Sequence, residues 1–101
     1  VSILALRIKG LNPGFQAWEG ATFALALVML YKNAKEAILC AVNMGGDADS
    51  IAAMAGGIIA ARYPSTLPEA WIKTVMRVNE LNLEVLAEGL ASLRASVSKK
   101  L

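Results

Sequence analysis

Apolar residues crowd the first two thirds of the chain in long charge-free runs, and only towards the C-terminus do they narrow to a single stripe. The runs are Gly20–Tyr31, Ala37–Gly46 and Ser50–Ala61. Each falls short of the ~18 apolar residues of a membrane span, and two contain Asn43 or the pair Gly56-Gly57. They therefore predict buried helices. A first helix is expected over 16–31, ended by Lys32-Asn33, and a short second one over Lys35–Asn43, whose AILCAV core also fits a buried strand. Met44-Gly45-Gly46 breaks the pattern. Asp47 or Asp49 is then placed to cap a third helix over about 50–63. Pro64–Pro68 reads as a rigid loop, with Pro68 as first residue of a helix to about Val78. In the last segment Leu83, Leu86, Leu90, Leu93 and Val97 recur at three- and four-residue steps, giving an amphipathic helix. The fold class is all-α.

Size sharpens this reading. Hydrophobic residues make up 56% of the 101 residues and charged residues 18%, against roughly 25% charged in an average soluble domain. Helices that are apolar on every face need cover on every face. A chain this short buries well under three quarters of its surface, so part of that cover is expected to lie outside it. The opening VSILALRIKGLNPGF, which has neither the length nor the cleavage pattern of a signal peptide, fits a fragment or processed chain.

Composition narrows the chemistry. The absence of histidine excludes Ser-His-Asp and Cys-His nucleophiles, and HExxH zinc sites, within the chain. A single cysteine, Cys40, excludes an internal disulfide and a CxxC site; in its apolar helix it reads as a small core residue. Net charge is +2 with basic residues scattered, so neither nucleic acid nor membrane is an expected partner. The methionines Met29, Met44, Met54 and Met76 read as core fillers, Lys73 and Arg77 as a solvent face, and Trp71 as packing at the start of its helix.

The informative stretch is Asn43-Met-Gly-Gly-Asp-Ala-Asp-Ser50, which contains the only two aspartates of the chain. Two glycines permit a sharp turn and a close backbone approach. Asp47, Asp49 and Ser50 then offer oxygen donors at a helix N-terminus, a set that suits Mg²⁺, Mn²⁺ or Ca²⁺ and no soft metal. Ordinary capping explains most sequences of this kind, yet here the helix behind the acids is almost wholly apolar. Two neighbouring carboxylates at its mouth repel unless a cation offsets them. An EF-hand is excluded by Ile51 and Ile58 at ligand positions, and a P-loop by the missing Gly-Lys-[ST].

GGDADSIAAMAGGIIAARY, with a proline-containing loop and LPEAW after it, closely resembles the C-terminal signature of the ADP-ribosylglycohydrolase family, G-G-D-x-D-[TS]-I-A-x-x-A-G followed by P-x-x-W. Gly14-Phe-Gln-Ala-Trp-Glu19 is similar to the segment ahead of the family's preceding helix, and the stretch around Leu83–Leu90 to its closing helix. Serine stands at position 50 where threonine is more usual, Arg62 where a small residue is common, and Pro64 where glycine follows the tyrosine. The resemblance implies an orthogonal all-helical fold, of which residues 1–101 are the C-terminal part. It also implies two Mg²⁺ or Mn²⁺ ions and hydrolysis of the glycosidic bond between ADP-ribose and a protein side chain or small acceptor. Asp47, Asp49 and Ser50 match the family's C-terminal metal ligands, with Asp49 expected to contact both ions. Gly45, Gly46, Trp18 and Glu19 are the candidate substrate-binding residues. The remaining ligands, a Thr-Asp-Asp cluster, have no counterpart in this sequence, so a missing N-terminal segment or a partner chain is expected to complete the site. The rival readings are a non-catalytic, crystallin-like structural protein and a self-associating helical fragment of the same fold. A cytoplasmic location is expected.

Overall fold

The computed structural model describes residues 10–100. The chain's first nine residues, including most of the opening segment read above, lie outside them. Five α-helices and one 3₁₀ turn make up the described chain, which is all-α. They divide into two compact units, one ending at Pro68 and one beginning at Glu69.

In the first unit, α1 (Ala17–Leu30), α2 (Ala34–Val42) and α3 (Ala48–Arg62) surround a small core. Helix α1 buries Gly20, Phe23, Ala24 and Leu27, the i, i+3, i+4, i+7 face of a helix. Helix α2 starts under a cap, the Asn33 side chain accepting the Glu36 N–H at 3.0 Å, and buries only alanines: Ala34, Ala37 and Ala41. Those small side chains let α3 come close. Gly56 of α3 lies so near Ile38 of α2 that a Cβ there would stand 2.8 Å from the isoleucine Cγ1. Phe23, Leu27, Ile51 and Ile59 are the large side chains fully sealed from solvent. The far end is tied by the 3₁₀ turn Pro64–Thr66, where the Thr66 hydroxyl donates to the Tyr63 carbonyl at 2.6 Å and accepts the Ala34 N–H at 2.8 Å.

The burial is one-sided. Leu25, Met29 and Leu30 of α1 and Ile58 of α3 are exposed. Of the four methionines only Met44 is in the core; Met29 is among the most exposed side chains. Cys40 is half-buried against the core. It shares a hydrogen bond with the Tyr31 hydroxyl, and this bond, more than burial, pushes the tyrosine pKa up to about 12.

The second unit contains α4 (Glu69–Val78) and α5 (Leu83–Lys100). Pro68 immediately precedes α4 instead of opening it. Its ring fixes φ equally well one position earlier, while Glu69 takes the first turn, where an acid favours the dipole. Helix α4 carries an exposed ion pair, Lys73–Glu69 at 3.3 Å, so Lys73 has a partner as well as solvent. Glu80, in the left-handed region at φ 53°, turns the chain after α4, and the Asn82 side chain caps α5 by accepting the Val85 N–H at 3.3 Å. Neither helix has a buried residue among those described. No helix of the described residues is long and apolar enough to cross a membrane.

Candidate functional site

The acidic stretch sits at the head of α3, inside the first unit. Met44, buried, anchors its upstream side, and Ile51, buried, its downstream side. Between them Gly45 and Gly46 both take positive φ, 80° and 64°, a conformation that L side chains rarely adopt. Gly46 has a second reason to be glycine: a Cβ would run into the carbonyl of Pro13. That carbonyl is the hinge point of the site. It accepts the Asp47 N–H at 2.9 Å, so a buried proline from ahead of α1 sets the height of the acidic loop over α3.

The same Pro13-Gly14 segment also reaches the head of α1. The Glu19 carboxylate lies against Gly14, where an added Cβ would displace it, and a Cβ at Gly20 would stand 3.8 Å from Ile51 Cγ1 at the start of α3. Two helix N-termini are thereby drawn side by side. One carries Trp18 and Glu19, the other Asp47, Asp49 and Ser50. The sequence points to both sets of residues but not to Pro13, which the turn signal Asn12-Pro13-Gly14 marks only as a loop. Its partner lies beyond two intervening helices, and a local pattern holds no information on such a contact.

Capping does not account for the aspartates. Asp47 occupies the N-cap position of α3, yet its side chain makes no capping hydrogen bond. Asp49 accepts the Ser50 N–H through Oδ1 at 2.9 Å, a contact between adjacent residues. Asp47 is half-buried, while Asp49 and Ser50 are exposed. No lysine or arginine pairs with either aspartate among the described residues. Nor do three acidic, cysteine or histidine side chains gather there as a metal cluster: Glu19 stands on the neighbouring helix without joining the two aspartates as a third ligand. Trp18 is 72% exposed beside it, and Trp71 is half-buried in the second unit.

The ADP-ribosylglycohydrolase family model matches residues 4–100. The match takes in both helix heads and the loop between them. The chain belongs to the ADP-ribosylglycohydrolase family. Membership gives ADP-ribosyl glycohydrolase-type chemistry as its class of activity. No curated protein and no solved structure matches the chain.

Proposed function

We propose that this chain takes part in metal-dependent hydrolysis of the glycosidic bond joining ADP-ribose to a protein side chain or small acceptor. Its contribution is one half of a dinuclear site, Asp47, Asp49 and Ser50. The observation that carries this reading is the state of Asp47: a half-buried carboxylate at a helix head that neither caps the helix nor meets a cation among the described residues. A structural aspartate in that position satisfies the helix amides. One left idle beside a second carboxylate suits a divalent ion.

The donor set fits such an ion in kind, being all oxygen and hard, but not in number. Two ions of this class take about six oxygens each, so further ligands come from a segment or chain beyond this sequence. Bound Mg²⁺ or Mn²⁺ supplies Lewis-acid stabilisation and an activated water. This chain's residues do the rest of its share by position. The Pro13 carbonyl and the two positive-φ glycines hold Asp47 at a fixed height. The Ser50 N–H engages one oxygen of Asp49 and so orients the other. Gly45 and Gly46 present bare backbone on which a sugar can settle, with Trp18 and Glu19 on the neighbouring helix head as its second wall.

The test is Asp49→Ala in the domain completed with its remaining ligands. Release of ADP-ribose from an ADP-ribosylated substrate should fall to background with the helical content unchanged, and retained turnover rejects the ligand assignment. Calorimetry on the isolated chain should find no micromolar Mg²⁺ binding. Tight binding there contradicts the half-site.

A further inference from the structure

Inside the first unit the Pro13-Gly14 peptide is held from two sides. On one side stands the acidic turn: a Cβ at Gly46 would run into the Pro13 carbonyl, and that carbonyl accepts the Asp47 N–H at 2.9 Å. On the other side stands the head of α1. The Glu19 carboxylate rests on Gly14 at the place a Cβ would take, and a Cβ at Gly20 would stand 3.8 Å from the Gly14 carbonyl oxygen. Pro13 is buried, while Gly14 and Glu19 are half-buried. Helix position explains why the carboxylate folds back in this way. Glu19 lies in the first turn of α1, behind an N-cap, Gln16, whose side chain makes no capping bond. The amides of that turn leave the positive end of the helix dipole uncompensated. An acid in the third position reaches back over the residues ahead of the helix. No lysine or arginine pairs with Glu19 among the described residues, so the helix head is what draws the carboxylate in.

We propose that Glu19 is a positioning residue for Asp47. The link between them is one rigid body, because the Pro13 carbonyl and the Gly14 Cα belong to the same planar peptide unit. Glu19 bears on the Gly14 end of that plane, and the Asp47 N–H is bonded to the carbonyl oxygen at its middle. Holding one end fixes the tilt of the whole plane, and with it the height of the acidic turn. Glycine at position 14 is part of the device, since any side chain there would expel the carboxylate. Beside Trp18, Glu19 has the place of a substrate contact; through the backbone it acts on the metal side of the site. This role rests on the reading of Asp47 as a metal ligand.

Amide hydrogen exchange on the full chain, free of metal and substrate, tests this. Glu19→Ala should speed exchange of the Asp47 amide by about two- to fivefold, the worth of one charge at a helix head. Gly14→Ala should do the same by pushing the carboxylate out. The two together should do no more than Glu19→Ala alone, because the methyl acts only through Glu19. The Ala34 amide, held by the Thr66 hydroxyl at the far end of the unit, should be unaffected by all three. An unchanged Asp47 amide in Glu19→Ala overturns the proposal. So do additive effects of the two substitutions, or an Ala34 amide that speeds up equally, which marks a unit merely destabilised. In the domain completed with its remaining ligands, Glu19→Ala should raise the Mg²⁺ concentration for half-maximal turnover by a similar factor, with the loss recovered at saturating Mg²⁺. A substrate KM raised at every Mg²⁺ concentration makes Glu19 a substrate contact and overturns the positioning role. A loosened Asp47 amide with an unchanged Mg²⁺ requirement rejects instead the reading of Asp47 as a ligand.

Discussion

The two units use apolar residues in opposite ways. In the unit ending at Pro68 the helices are apolar nearly all round, with little sidedness, and yet that unit holds the core: Phe23, Leu27, Met44, Ile51, Ile59 and the alanines among them. In the second unit α4 is strongly two-sided and α5 carries a clean heptad stripe, and neither buries a residue among those described. A stripe thus tells that a helix has a side for a partner, without telling where the partner is. What closes the first unit is side-chain size. Ala34, Ala37, Ala41, Ala55 and Gly56 let three short helices approach until a few large residues fill the space between them.

Substitutions can break or sharpen that contrast. The largest stability effect is expected from Phe23→Ala, which removes the largest sealed side chain and should cost the first unit about 3–5 kcal/mol in urea unfolding. A loss comparable to that at an exposed position such as Leu86 would erase the distinction between the units. Gly46→Ala comes next, because it forces a side chain into positive φ and against the Pro13 carbonyl. We expect about 1–3 kcal/mol and loss of the Asp47–Pro13 hydrogen bond, seen as faster exchange of the Asp47 amide.

Tyr31 probes the first unit through pH. Its pKa is raised from 10.0 to about 12 by the hydrogen bond with Cys40, then by burial, then by the charges of Cys40 and Glu36. A raised phenol pKa means that the folded chain holds its proton more tightly than the unfolded one. The stabilisation is therefore complete below pH 10 and lost as pH climbs towards 12. Tyr31→Phe should flatten that part of the stability profile, by on the order of 1 kcal/mol. The smallest effect belongs to the second unit. Lys73→Ala breaks an ion pair whose side chains are 73% and 79% exposed, and it should cost no more than about 0.5 kcal/mol, vanishing in high salt.

Much of this was legible before any coordinates. The five helices, the break at Met44-Gly45-Gly46 and the loop after Tyr63 follow from periodicity, glycine and proline. Asp47, Asp49 and Ser50 stand out because the chain spends its only aspartates there. What stayed hidden depends on contacts far apart in sequence. Capping rules place Asp47 at the helix head without revealing that its side chain declines the cap. Composition makes Met29 look like a core residue although it faces out, since nothing local tells an apolar helix which side its neighbours take. Pro13 is a turn residue by every local rule; only the folded chain shows its carbonyl reaching Asp47.

That reach bears on how the molecule assembles. Helices α1 and α2 both lie between Pro13 and Asp47, so their hydrogen bond closes a long loop whose entropy must be met before the bond returns anything. The acidic turn cannot reach its final height while α1 is still finding its place on α3. Helix α3 can grow early from its own residues, but the two carboxylates at its head are set only when the first unit has docked. In folding order, the acidic turn comes last.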